Sequence, residues 1–309
     1  MTTDGTAPRR RFLAWPLTLA LPSTLLGGCA LDVDHDHRGA DAPSSAVLPR
    51  QPRTAWVFSS GGPRGFVHVG VLKALHELGL TPDLIVGASA GALLGVLRAA
   101  GLTGTELERL ALDLQPLALV RMAGWGRDSA ERFSGAAVAE LVREQLRLRG
   151  LSSRLEDLPV MTVCVARLAS QNTTVAFSRG DAGLAVQAAS AIPGQFVPVR
   201  IHGQLHDDAD SLLPLPVRLA RQLGASRILA VDASAHEDRA PPASLQRYRA
   251  SDLRKRALTG PDAQAADVLL HPDFGYWVNL SQAFRERAIL AGYRETLAAA
   301  ARIQALHAS

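Results

Sequence analysis

The fold of this 309-residue chain is decided by residues 84–94, LIVGASAGALL. A short apolar stretch, a Gly-x-Ser-x-Gly segment and a second apolar stretch predict a buried strand, a sharp turn and a helix, in that order. Gly87 and Gly91 leave room where the backbone is pinched, because side chains at these positions would collide. We therefore expect Ser89 to stand exposed over the sheet edge, at the N-terminus of a helix whose dipole favours negative charge.

A second glycine cluster lies upstream, in residues 56–75, WVFSSGGPRGFVHVGVLKAL. Here too an apolar run ends in glycines and opens a helix with apolar residues at helical spacing. The backbone N–H groups of such a loop can converge on one anionic oxygen, either of a phosphate or of a tetrahedral intermediate. The loop lacks the Gly-Lys-Ser/Thr ending of a nucleotide P-loop. Paired with Ser89, it predicts an oxyanion hole built from Gly61 and Gly62.

The rest of the chain alternates between strand-like and helix-like segments. The predicted strands lie near residues 54–60, 84–87, 159–166, 173–178, 198–207 and 227–232, and the predicted helices near 65–78, 90–100, 104–120, 135–149, 182–190, 214–223 and 281–305. Residues 234–265 are predicted to form loop and helix over the surface. This alternation predicts an α/β fold with a three-layer, doubly wound, mostly parallel sheet. In such a fold ligands bind beyond the carboxyl ends of the strands.

Taken together, the motifs resemble the patatin-like phospholipase family. The matching segments follow the family's order and span about residues 53 to 300: the glycine loop at 60–65, the serine elbow at 87–91, a segment at 191–199 and an aspartate motif at 208–217. The resemblance implies a patatin-like fold and a lipid acyl hydrolase, acting as a phospholipase A, a lysophospholipase or an esterase. It implies neither a cofactor nor a metal ion.

The resemblance also assigns roles to residues. Ser89 would attack an ester carbonyl while Asp208 takes its proton, and the resulting acyl-enzyme would be resolved by water. Gly61 and Gly62 would hold the oxyanion, and Arg64, followed by Gly65, would steady the loop or a substrate phosphate. Because a free aspartate has a pKa of ~3.9, Asp208 must be desolvated to act as a base.

The sequence departs from the family pattern in two places, the glycine loop and the aspartate motif. Ser60 replaces the first glycine of the loop, and Pro63 offers no N–H donor. Asp208-Ala209-Asp210 replaces Asp-Gly-Gly/Ala, so a second carboxylate follows the first. If residues 207–210 are extended, Asp208 and Asp210 share a face and repel each other, while Asp207 faces away. A catalytically weakened, lipid-anchored scaffold is therefore an alternative function.

A second alternative is an α/β-hydrolase with a Ser-Asp-His triad. The histidine would then follow the acid, which makes His236, His271 and His307 the candidates. His68, upstream, is interpreted as a packed helix residue. Residues 274–277, FGYW, are interpreted as either the lining of an acyl pocket or aromatic packing in a core or lid.

Composition agrees with one catalytic domain over residues 53–309. The net charge is +4, and without residues 1–28 the chain holds 30 basic and 28 acidic residues, a balance that offers no case for nucleic-acid binding. The two cysteines, Cys29 and Cys164, provide no disulfide framework. The sequence does not predict an oligomeric state.

Residues 1–28 are predicted to be an export signal. Arg9-Arg10-Arg11 precedes a short apolar run, as in twin-arginine signals, and Leu26-Gly27-Gly28-Cys29 resembles a lipobox. Cys29 would then be lipidated and anchor the protein to a membrane of the bacterial cell envelope, on the periplasmic face. Residues 29–52 are polar and proline-containing and predict a flexible tether, in which residues 34–37 form a solvated charged run.

Overall fold

The computed structural model describes residues 1, 35–115, 119, 121–123, 133–242 and 246–308. The predicted export signal beyond Met1, and Cys29, lie outside the described residues. The strands are β1 (Asp36–His37), β2 (Thr54–Phe58), β3 (Leu84–Ala88), β4 (Arg121–Met122), β5 (Phe133–Ser134), β6 (Met161–Leu168), β7 (Thr173–Phe177), β8 (Val199–Ile201), β9 (Gln204–Asp208), β10 (Arg227–Val231) and β11 (Val268–Leu270).

The helices are α1 (Phe66–Glu77), α2 (Ala90–Ala99), α3 (Gly104–Asp113), α4 (Ala136–Arg147), α5 (Ala182–Ala189), α6 (Val217–Gln222), α7 (Gln246–Gln264), α8 (Gln282–Ala298) and α9 (Ala300–His307). Among the described residues, each helix is too short or too polar to cross a membrane.

Nine of the described strands form one sheet, in the order β1-β8-β9-β6-β3-β2-β10-β11, with β7 also pairing with β6. The central pairs β6-β3, β3-β2, β2-β10 and β10-β11 are parallel, whereas β7 and β9 run antiparallel to β6. Strands β4 and β5 form a separate two-stranded ribbon. The predicted three-layer α/β fold with a mostly parallel sheet is confirmed.

The central strands are buried on both faces, and their side chains alternate between two cores. In β2, Trp56 and Phe58 pack into a core with apolar residues of α1 to α5, α8 and α9. Ala55 and Val57 point the other way, into a core shared with α6 and the end of α7. This double burial explains why β2 and β3 are continuous apolar runs in the sequence.

Strand β6 brings two other strand ends together. Ala88, the last residue of β3, pairs with Val165, and Asp208, the last residue of β9, pairs with Ala166. Because β7 occupies one edge of β6 along this stretch, β3 and β9 share the other edge, one after the other. The residues that follow β3 and end β9 therefore meet at one point on the sheet.

Some predicted elements differ from the structure. The single strand predicted at 198–207 is a hairpin of β8 and β9, which turns at His202 and Gly203 with φ of 49° and 79°. The helix predicted at 281–305 is broken at Ala299 into α8 and α9. Strands β1 and β11 were not predicted, because runs of two or three residues carry no periodic signal.

The prediction of a flexible tether is wrong for the described residues that precede β2. Strand β1 pairs with β8, and the Asp36 carboxylate accepts a hydrogen bond from the Gly203 amide at 2.8 Å. The Ser44 amide donates to Arg179 at 3.1 Å, and Ala42 is buried in the core. This segment adds an edge strand to the sheet, so the compact domain begins well before residue 53.

Candidate active site

Ser89 lies at a strained turn between β3 and α2. Its φ is 53°, a conformation that costs a non-glycine residue about 1–3 kcal/mol. A Cβ on Gly87 would lie 2.4 Å from the Gly91 carbonyl oxygen, and one on Gly91 would lie 2.3 Å from that of Phe58. Neither position therefore accommodates a side chain. The expectation that Ser89 is exposed is wrong, because it is 4% exposed and lies inside the molecule.

Asp208 ends β9 beside this turn and is 1% exposed. Burial raises the pKa of its carboxyl group to about 7, and the nearby charge of Asp210 acts in the same direction. A hydrogen bond with the Ser89 side chain and the charge of Lys255 partly offset this increase. The site thus holds a serine hydroxyl against a carboxyl group that titrates near neutral pH.

The two neighbouring aspartates point elsewhere. Asp207 faces away, as predicted for an extended strand, and binds the Arg167 guanidinium through both carboxylate oxygens, at 2.6 and 2.5 Å. Asp210 does not follow the strand alternation, because residues 209–211 form a 3₁₀ turn. Its carboxylate accepts hydrogen bonds from the Lys255 ammonium at 2.7 Å and from the Ser60 hydroxyl. Of the three aspartates, Asp208 is the one placed against Ser89.

The glycine loop leads from β2 into a 3₁₀ turn over residues 62–65 and then into α1. Gly62 has a φ of 51°, which glycine adopts readily. A Cβ on Gly65 would lie 2.5 Å from the Ala90 Cβ, so this glycine lets the loop pack against the start of α2. In the described part of the chain, the amides of Gly61 and Gly62 donate to no backbone carbonyl of a turn or loop.

Arg64 holds the segment that follows β11. Its guanidinium donates to the backbone carbonyl of Tyr276 and lies 5.3 Å from the centre of the Phe274 ring. Phe274 is buried against Phe284, whereas Trp277 is 51% exposed. The interpretation of residues 274–277 as aromatic packing agrees with these contacts. None of the four lines the apolar cavity described below.

The late histidines contact other groups. His236 and His271 stack on each other with ring centres 3.8 Å apart, and His307 accepts a hydrogen bond from the Trp56 indole at 3.0 Å. His68 is fully buried in α1, and burial lowers its pKa to about 4, so its ring is neutral. Within the described ranges, no hydrogen bond joins a histidine to Ser89 or Asp208.

An apolar cavity of about 210 Å³ begins beside the elbow. It reaches the glycine loop at Gly62 and Gly65 and the start of α2 at Ala90. Its walls are mostly leucines: Leu93, Leu94, Leu97, Leu107, Leu110, Leu114, Leu119, Leu141 and Leu280. A cavity of ~150 Å³ lined by such residues stays dry and takes up benzene, so this one suits a hydrocarbon chain.

Two residues of the site region were not predicted from the sequence. Arg285 lines the cavity and is buried, and its guanidinium donates to three carbonyls at the end of α3, those of Ala111, Leu112 and Leu114. Lys255, on α7, touches both the glycine loop and the aspartate motif. The sequence held one signal for Lys255, the rarity of lysine: of the 33 lysines and arginines in the chain, two are lysines, Lys73 and Lys255.

Comparison with known proteins agrees with this geometry. The sequence model of the patatin-like phospholipase family matches residues 56–221, which include both glycine motifs and Asp208. An uncharacterized NTE family protein of Mycobacterium bovis is 33% identical over 186 residues, covering 60% of this chain and 50% of the relative. Lysophospholipase NTE1 of Coccidioides immitis is 30% identical over 204 residues, covering 60% of this chain and 12% of that protein.

The chain thus spans at most about half the length of these curated relatives. Among solved structures, VipD from Legionella pneumophila aligns with a TM-score of 0.52 and 15% sequence identity. The alignment covers 87% of this chain and 72% of VipD. At this identity the likeness concerns the fold.

Proposed function

Because the chain belongs to the patatin-like phospholipase family, we propose that it hydrolyses carboxylic-ester bonds of lipids, as a phospholipase A, a lysophospholipase or an esterase. The contact between Ser89 and Asp208 carries the proposal. A serine on a strained turn meets a buried carboxyl group whose pKa is raised to about 7, beside an apolar cavity. A base with a pKa near the working pH is effective in proton transfer.

In the proposed reaction, the Ser89 oxygen attacks the ester carbonyl carbon and its proton passes to Asp208. The amides of Gly61 and Gly62, together with the N-terminus of α2, stabilise the oxyanion. When the tetrahedral intermediate collapses, Asp208 returns the proton to the leaving alcohol and the acyl group stays on Ser89. Asp208 then takes a proton from water, whose oxygen attacks the carbonyl carbon of the acyl-enzyme. When this second intermediate collapses, the fatty acid is released and Asp208 returns the proton to the Ser89 oxygen.

The apolar cavity supports a lipid substrate. It lies next to Ala90 and the glycine loop, where the acyl chain of an ester bound at Ser89 would point. Among the described residues that line it, Arg285 is the charged one, and its guanidinium already binds backbone carbonyls. We assign the cavity to the acyl chain. Arg64 is assigned to holding the loop, because its guanidinium binds Tyr276 rather than facing the cavity.

The two alternatives receive less support. A Ser-Asp-His triad needs a histidine at the serine, and His236, His271 and His307 have other partners. The scaffold interpretation rested on repulsion between Asp208 and Asp210. Burial opposes ionisation of Asp210, but its pairing with Lys255 keeps its pKa below the ordinary value, and its charge contributes to the raised pKa of Asp208. A second carboxylate in the motif is therefore compatible with catalysis.

A fluorophosphonate probe, which labels activated serines, tests the proposal. We expect labelling of the wild-type protein, none of Ser89→Ala, and labelling slowed by roughly 10²- to 10⁴-fold in Asp208→Asn. Ser45→Ala is the control. It removes an exposed hydroxyl that donates a hydrogen bond to the Ala176 carbonyl, and the variant should label normally. Hydrolysis of phospholipid, lysophospholipid and short p-nitrophenyl esters by the same proteins identifies the substrate class.

Three results would contradict the proposal. Persistent labelling of Ser89→Ala would remove Ser89 as the nucleophile, and an unlabelled and inactive wild type would favour the scaffold. A loss in His236→Ala or His271→Ala as large as that in Ser89→Ala would favour the triad.

The lipid anchor remains a prediction from the sequence. We propose that Cys29 is acylated and holds the domain at a membrane of the cell envelope, within reach of its substrate. Cell fractionation of the full chain and of Cys29→Ser tests this. The wild type should sediment with membranes and the variant should not; equal distribution would contradict the anchor.

A further inference from the structure

Ser60, Asp210 and Lys255 form a polar cluster next to the site. The Lys255 ammonium lies 2.7 Å from the Asp210 carboxylate, 3.1 Å from the Ser60 hydroxyl and 3.4 Å from the Ser60 carbonyl oxygen. The Ser60 hydroxyl also donates to the Asp210 carboxylate. The three residues come from the glycine loop, the aspartate motif and α7, so the cluster joins three separate segments.

Two of these residues are the departures from the family pattern. Ser60 stands in place of the first loop glycine, and Asp210 in place of the final glycine or alanine of the aspartate motif. Glycine or alanine at both positions would leave the Lys255 ammonium without its side-chain partners at this site. The lysine at position 255 therefore has polar side-chain partners at this site only because serine and aspartate occupy positions 60 and 210, although the residues lie up to 195 positions apart.

Each member of the cluster is adjacent to a proposed catalytic group. Ser60 directly precedes the amides of Gly61 and Gly62. The Asp210 amide donates to the Asp208 carboxylate at 2.9 Å, so a movement of Asp210 would carry the carboxylate with it. The Ser60 amide donates to Pro214 at 2.9 Å, which fastens the glycine loop to the chain that follows the aspartate motif.

The charges of Asp210 and Lys255 have opposite effects on the pKa of Asp208. Burial raises the pKa of Asp208, the Asp210 charge raises it further, and Lys255 lowers it. Arg167, which pairs with Asp207 on the neighbouring strand, also interacts electrostatically with Asp208. Among the described residues, Lys255 is the cation in an ion pair with Asp210; without it, Asp210 would be a partly buried carboxylate two residues from the base and lacking this partner.

We propose that Lys255 is a positioning residue, which holds Asp210 away from Asp208 and ties the glycine loop to the aspartate motif, so that the Asp-Ala-Asp motif remains catalytically competent. This inference rests on the proposed function. A lysine suits the position because its compact ammonium can approach a carboxylate, a hydroxyl and a carbonyl oxygen at once, whereas the planar fork of an arginine favours one bidentate partner.

The test is the rate of fluorophosphonate labelling of Ser89, measured against pH. We expect Lys255→Met to slow labelling by roughly 10- to 100-fold. The acidic limb of the pH–rate profile, where the rate falls as Asp208 is protonated, should move to higher pH. Adding Asp210→Ala should restore most of the rate and return the limb toward lower pH, because the unpaired carboxylate is gone. Lys255→Arg should restore the charge but only part of the rate.

Arg254→Met is the matched control, since it removes an exposed positive charge from the neighbouring position of α7 and should label like the wild type. Wild-type labelling by Lys255→Met would overturn the inference, as would a loss that Asp210→Ala neither rescues nor shifts in pH. In both cases the wild type still labels at Ser89, so the proposed function stands. Absence of Ser89-dependent labelling in the wild type would instead reject the proposed function and the positioning role together.

Discussion

At the scale of single residues, Asp208 combines a functional advantage with a cost in stability. The carboxyl group has a pKa of about 7 in the folded protein, compared with 3.8 as its ordinary value. The folded state therefore holds its proton more tightly than the unfolded state between about pH 4 and pH 7. Over this range the free energy of unfolding falls as the pH rises, by at most about 1.4 kcal/mol per pH unit.

Asp208→Asn should separate the two effects. The amide still accepts the hydrogen bond from the Asp210 amide but never ionises, so we expect a less active and more stable protein at pH 8. The gain in the free energy of unfolding should shrink as the pH falls and vanish near pH 4. Denaturant unfolding of both proteins at several pH values measures this gain; a difference independent of pH would contradict the raised pKa.

At the scale of elements, helices α1 and α8 pack closely against each other. A Cβ on Gly70 would lie 1.8 Å from the Ile289 carbonyl oxygen, and one on Gly292 would lie 2.2 Å from that of Val67. The two glycines let the backbones of these helices approach each other directly. This packing supports α1, which begins at the glycine loop, and α8, whose Arg285 borders the cavity.

Gly70→Ala should therefore destabilise the protein, by about 1–3 kcal/mol, even though alanine favours a helix over glycine. Thermal unfolding should show a lower midpoint for this variant and for Gly292→Ala. Ala283→Ser, at an exposed position of α8, is the control and should lie within about 0.5 kcal/mol of the wild type. A Gly70→Ala protein as stable as the wild type would show that the helices can separate at little cost.

At the scale of the whole molecule, the cavity is built by the glycine loop and five helices, α1, α2, α3, α4 and α8. No single element forms the whole cavity. Its volume limits the length of the acyl chain that it can hold. Leu93→Phe should fill part of this space, because Leu93 lines the cavity on α2 near the elbow. We expect kcat/KM to fall for long-chain esters by roughly tenfold and to change little for short ones.

A series of p-nitrophenyl esters of increasing length measures this effect. Leu290→Phe makes the same replacement at an exposed position of α8 outside the cavity and should keep the wild-type profile. An unchanged chain-length profile in Leu93→Phe would place the acyl chain elsewhere.

The sequence predicted the elements whose signals are local. Strands β2, β3, β6, β7 and β10 and helices α1, α2, α4 and α5 lie within a few residues of their predicted positions, because apolar periodicity and glycine turns are properties of short windows. The β8-β9 hairpin was missed because its turn uses His202 and Gly203, not one of the usual Asn-Gly or Asp-Gly pairs.

By itself, the sequence determined the α/β architecture, the serine elbow and the order of the motifs, since each of these is encoded in consecutive residues. The family resemblance paired Asp208 with Ser89, but tertiary structure alone decided that both are buried and that Asp210 turns to Lys255. These facts depend on β3 and β9 ending side by side on β6 and on Lys255 of α7 reaching Ser60 in the glycine loop. Contacts between residues so far apart in the chain produce no periodic pattern in the sequence. The burial of a side chain and the charges around it are set by residues from distant segments, so they follow only from the folded structure.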